Sequence, residues 1–154
     1  MTLFGIFITL HIVFGSVCLI VGLLAAFSKK QRGRHTLFGE LYHGSYVIVF
    51  ISAIVTSIIH WHESAYLFYI ALFSYGLALF GYVARKKRVH NWLPKHIAGM
   101  VGSYIGIVTA VLVVNISSIP VVNELPALIF WFLPTVIGTP IIIFISNRVK
   151  NKTV

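Results

Sequence analysis

LFGIFITLHIVFGSVCLIVGLLAAF (residues 3–27), followed at once by SKKQRGR (28–34), decides how this chain folds. The first stretch contains no Lys, Arg, Asp or Glu. As a helix rising 1.5 Å per residue it is long enough to cross the roughly 30 Å of hydrocarbon in a bilayer. The second stretch supplies the cations that collect on the cytoplasmic side of spanning helices. The same pairing recurs. All twelve Lys and Arg residues fall into three groups: Lys29, Lys30, Arg32 and Arg34; Arg85, Lys86, Lys87, Arg88 and Lys95; and Arg148, Lys150 and Lys152.

Composition agrees with this. The 154 residues are 58% hydrophobic and 10% charged, whereas about a quarter of a soluble domain's residues are charged. Five apolar runs, roughly 3–27, 41–60, 65–84, 97–118 and 126–146, predict an all-α, polytopic transmembrane helix bundle of five spans. The expectation is a single membrane domain over 1–154, with no separate soluble domain. The net charge of +9 sits beside the spans, so it reads as topology and headgroup attraction and not as nucleic-acid binding. The first run lacks a basic segment before it and is long for a cleaved leader, so it is expected to be a mature helix.

The threading follows from the charges. The connections near Trp61, His62 and Glu63 and near Asn123 and Glu124 carry no Lys or Arg. An odd number of spans therefore puts the N-terminus outside and the C-terminus in the cytoplasm of a multi-pass cell-membrane protein. Four spans with a re-entrant segment would split the basic groups. Trp61, Tyr66 and Tyr69 are expected at the outer rim, and Tyr42 and Trp92 at the inner one. Pro134, Gly138 and Pro140 predict a kinked or locally unwound fifth span, with Thr135 and Thr139 placed to satisfy freed carbonyls. Gly15, Cys18 and Gly22 form a stripe suited to close helix packing.

Chemistry enters with seven histidines, since an ionisable side chain inside a span is expensive. They sort into two depths. Toward the cytoplasm are His43 and His96, with His35 and His90 in basic loops where solvent or headgroups would hold them. Toward the outside are His11, deepest of all, and His60 and His62, which also suit the interface. Glu40 and His43 share a helical face at i, i+3, a spacing used by metal ligands in bundles. His96, Gly99, Met100, Ser103 and Tyr104 form one stripe, and His43, Tyr46, Phe50, Ala53, Ser57 and His60 another. The two stripes are expected to meet in the bundle.

Imidazole with carboxylate suits zinc or another transition metal. Imidazole with imidazole or Met100 suits haem iron. The expected ligands are Glu40, His43 and His96 at an inner site, with Met100 and Tyr104 beside them. His11, with His60 or His62, would make an outer site. Haem b or a transition metal ion would then serve redox chemistry or cofactor handling. Expected partners are the bilayer, a membrane redox partner or larger membrane complex, and further copies of the chain. Two other classes fit the residues: a non-catalytic assembly or regulatory subunit, and a metal-dependent intramembrane hydrolase with Glu40 as base.

The stretch Arg34-His35-x-x-x-Gly39-x-x-Tyr42, after a first span with His11-x-x-x-Gly15, resembles a family of small bacterial multispan membrane proteins. That family has a basic-His-Gly-Tyr motif between its first two helices and a histidine opening a later one, which His96 matches. The likeness covers roughly residues 8–110 and implies topology more than activity. His11, His43 and His96 also resemble the ligand pattern of transmembrane b-type cytochromes, which hold two haems between four helices. Span 3 (65–84) has no histidine, so the resemblance leaves that four-helix ligand set incomplete, and a single inner haem or metal fits better.

Overall fold

The computed structural model describes residues 2–31, 33–116 and 126–151. Arg32, Asn123, Glu124, Lys152 and the end of the expected fourth span (117–118) lie outside them. The described residues form five helices: α1 (Leu3–Phe27), α2 (Arg34–Ile59), α3 (Trp61–Lys87), α4 (Trp92–Asn115) and α5 (Ala127–Lys150). Each is long and apolar enough to cross a membrane. The chain is a multi-pass helical membrane protein.

The helices outrun the apolar runs at five of their ten ends. Arg34, Arg85, Lys86, Lys87, Lys95, Arg148 and Lys150 are all helical. An α-helix satisfies its own backbone, so it loses nothing by continuing through the headgroups. The cap signals are local. The Thr2 hydroxyl accepts from the Gly5 amide at 3.1 Å. Gly33, at φ 115, makes the turn into α2 in a conformation that side-chain-bearing residues rarely adopt. A single residue, His60, separates α2 from α3. Its amide donates to Thr56, and its carbonyl accepts from Glu63 and Ser64. Trp61, His62 and Glu63 are thus the first turn of α3 and not a loop.

Contacts divide the chain into two compact units, Met1–Tyr75 and Gly76–Val154, with the boundary inside α3. In the first unit α1 packs along α2. Cys18 is fully buried there, and its thiol donates to the Tyr42 carbonyl at 3.6 Å. Closest packing on the α1 stripe is at Cys18; a Cβ added to Gly15 would meet nothing within 4 Å. Tyr42 is 2% exposed. It is therefore a core residue and not a rim aromatic. Because α2 begins at Arg34, Tyr42 stands two turns inside the helix.

The first half of α3 brings Tyr75 against α2. Its ring stacks on Phe50 (4.5 Å, 15°) and on His43 (6.1 Å, 23°), with Tyr46 edge-on at 5.9 Å. His43 and Phe50 are two helical turns apart, about 10.5 Å, which matches the two spacings together, so Tyr75 fills the gap between them. The Tyr46 hydroxyl is hydrogen-bonded to Ser74, whose own hydrogen goes to Ile70 at 2.6 Å. Offset and edge contacts of this kind add about 0.5–1.5 kcal/mol each beyond buried area.

In the second unit the backbones of α3 and α4 nearly touch. A Cβ on Gly99 would lie 2.5 Å from the Gly81 nitrogen and 2.6 Å from the Leu77 oxygen. Farther along α4, Ile105 packs over Gly138 of α5. The fifth helix runs unbroken through Pro134 and Pro140; Thr135 and Thr139 are exposed. Of its residues only Phe130 and Gly138 are buried, which leaves most of its apolar surface for lipid.

Candidate functional site

Three histidines make one kind of contact. His11 Nδ1 lies 3.3 Å from the Val49 carbonyl and 3.1 Å from the Ser52 hydroxyl. His35 Nδ1 lies 2.9 Å from the Ala25 carbonyl. His96 Nδ1 lies 2.9 Å from the Gly81 carbonyl. A carbonyl only accepts, so the proton is assigned to Nδ1 in all three. In the neutral ring this puts the lone pair on Nε2, the atom that coordinates a metal.

His11 stands eight residues into α1, about 12 Å along the helix. It crosses to α2 at Ser52, which is almost fully buried and also donates to Val49 at 2.9 Å. One carbonyl thus collects the imidazole and the hydroxyl, and no backbone bond of α2 has to open. Nε2 of His11 has no hydrogen-bond partner among the described residues. His96 stands on the first turns of α4. Gly99, three residues on, allows the backbone of α3 to come close enough for its Gly81 carbonyl to reach the ring. The Gly99 and Ser103 part of the expected polar stripe is therefore buried as a packing face.

His35 has a different setting. The Ala25 carbonyl at the end of α1 also accepts from Ser28 Oγ at 3.0 Å and from Lys30 Nζ at 3.0 Å, and Lys30 reaches Ala26 as well. Helix ends leave carbonyls without intrahelical partners, and these three side chains supply donors for them. Loss of solvent around Lys30 holds its pKa below the ordinary lysine value. His35 is thus a helix cap and not a merely solvated loop residue. Within the motif at 34–42, His35 bonds across the α1–α2 turn, and the Tyr42 carbonyl accepts from the Cys18 thiol.

The remaining candidates are spread out. His43 and Glu40 share a face of α2, and His43 stacks on Tyr75. His60 lies edge-on to Phe4 at 4.5 Å. Phe4 is seven residues before His11 on α1, and His60 eight after Ser52 on α2. His60 and His11 are therefore about 10–12 Å apart along the hairpin, too far to share one metal ion. His62 is exposed on the first turn of α3, and His90 is exposed beside Asn91. Met100 accepts from Ser103 through its carbonyl; Tyr104 is partly buried on the same helix. Among the described residues no three His, Cys, Asp or Glu side chains come together as a metal site. No family model matches this chain, and no curated protein or solved structure does either.

Proposed function

We propose that this protein binds haem in the membrane through single intramembrane histidines, His11 in the first unit and His96 in the second, and serves redox chemistry or cofactor handling. One observation carries the reading. Each of these rings is held by a Nδ1–H bond to a neighbouring helix's carbonyl, which fixes the tautomer that offers Nε2 and raises its basicity. A tetrapyrrole brings four nitrogen ligands of its own, so one or two protein ligands suffice. A structural zinc ion would need about four ligands, and a catalytic one about three. The scattered ligand set therefore favours haem over zinc, and gives the hydrolase reading, with Glu40 as base, least support. Bound haem would supply a one-electron couple; the protein's part is to orient two imidazoles and keep water from them. The reading includes an outside N-terminus and a cytoplasmic C-terminus in the cell membrane, supported by the sorted cations.

Purified in detergent after expression with a haem supply, the protein should show a Soret band. His11→Leu and His96→Leu should each lower the haem content, whereas His90→Leu should leave it unchanged. A colourless protein that does not take up added haemin, or haem retained fully by the His11→Leu/His96→Leu double variant, overturns the proposal. An assembly or regulatory role would draw on the exposed apolar surface of α5, and capture of a defined membrane complex in the colourless case would support it.

A further inference from the structure

The α3–α4 turn and the helix ends that flank it carry five cations in eleven residues, Arg85 to Lys95. Among its described residues the second unit has no carboxylate side chain to neutralise them. The chain's acids are Glu40, Glu63 and Glu124, and none lies within 76–116 or 126–151. Lys87, Arg88 and Lys95 make no ion pair among the described residues, and Lys87 and Arg88 are exposed. The turn keeps them together. Arg88 and Asn91 both take left-handed backbone conformations (φ 49 and 53), and the chain reverses so that α4 starts at Trp92.

Aromatic rings hold two of the cations. The Arg88 guanidinium lies 5.1 Å from the centre of the Trp92 ring, and the Lys86 ammonium 5.1 Å from the centre of the Tyr82 ring. Tyr and Trp settle at the headgroup level of a bilayer, apolar body inward and polar edge outward. Cations stacked on them are thereby fixed where lipid phosphates lie, at the ends of two spanning helices. Arginine adds a planar fork of donors suited to a phosphate.

We infer that this turn is a binding site for anionic phospholipid, with Lys87, Arg88 and Lys95 around the headgroup phosphate and Trp92 at its edge. The inference is independent of haem. Trp92 also provides the readout. The other tryptophans, Trp61 and Trp131, stand near the opposite ends of α3 and α5 from those helices' basic termini. In a Trp61→Phe/Trp131→Phe protein in lipid nanodiscs, Trp92 fluorescence should be quenched by chain-brominated anionic phospholipid at an at least about tenfold lower mole fraction than by the zwitterionic equivalent. Each cation near an anionic surface contributes roughly a fivefold gain. Lys87→Gln/Arg88→Gln/Lys95→Gln should abolish the preference, and Lys87→Arg/Arg88→Lys/Lys95→Arg should keep it. Should the neutralised variant not fold, the unsubstituted basic turn still decides. Raising salt from about 0.1 to about 1 M shortens the screening length from about 10 to about 3 Å, and the preference should fall with it. Equal quenching by both lipids, a preference that survives neutralisation or high salt, or relief of quenching by dissolved glycerol phosphate, which would mark a free-phosphate site, overturns the inference.

Discussion

The two halves of this molecule solve the same problem by different means. Helices in lipid gain little from burying apolar surface against one another, so association rests on close packing and interhelical hydrogen bonds. The first unit relies on hydrogen bonds. His11, Cys18 and His35 each donate from one helix of the α1–α2 hairpin to a carbonyl of the other. The second unit has one such bond, from His96 to the Gly81 carbonyl, and relies chiefly on shape, with Gly81 against Gly99 and Gly138 beneath Ile105. A polar contact tolerates small displacements. A backbone crossing with no Cβ tolerates none. The first unit should therefore bend to substitution where the second breaks.

The harshest trial of that contrast is Gly99→Ala. The new methyl group would press on the Gly81 backbone and the Leu77 carbonyl, which cannot rotate away. A loss of about 3 kcal/mol is expected, read as thermal or steric-trap unfolding in detergent. Gly138→Ala is its partner, because there the obstacle is the end of the Ile105 side chain, which can change rotamer; about 1 kcal/mol is expected. If the two cost the same, shape at the α3–α4 crossing does not hold the second unit.

Next in size is Cys18→Leu, which adds volume to a site with no exposure and should cost about 2 kcal/mol. A cycle of His11→Leu and Ser52→Ala should then give a coupling of only about 0.6 kcal/mol, the usual value for an interhelical hydrogen bond in a membrane. A coupling several times larger would mean that the first unit is as brittle as the second. Smallest is Gly15→Ala. Its methyl group meets nothing, so the protein should be unchanged or more stable by roughly 0.5 kcal/mol, because alanine favours helix. Equal damage from Gly15→Ala and Gly99→Ala would erase the comparison.

What the sequence revealed divides along physical lines. Spans are legible because hydropathy and charge are properties of single residues summed along the chain. Helix ends are less legible: α2 starts at Arg34 and not near 41, because its polar first turns read as loop although their backbone is helical. Tyr42, expected at the inner rim, is buried instead, eight residues into α2, and His43 follows it. That His11 needs a polar partner is legible from its depth alone. Its partner is not, because Ser52 depends on the register of α1 against α2. The sequence places Gly99 in a stripe, but its meaning depends on Gly81, which faces it across the α3–α4 crossing. The cap on α1 had a local signature, three donors at Ser28, Lys30 and His35 just past a helix end, and counting orphan carbonyls would have found it.

Burial of Cys18 has a practical side. It is the chain's one cysteine, and with no exposed surface its thiol is closed to water-borne reagents, so the native protein is a silent background for thiol labelling. A cysteine placed at Glu63 or at Lys87, the two exposed ends of α3, then answers alone to a membrane-impermeant maleimide applied to intact cells. The proposed outside N-terminus predicts label at position 63 and not at 87. The sidedness of the whole chain can thus be read from one helix, with no cysteine-free version to build first.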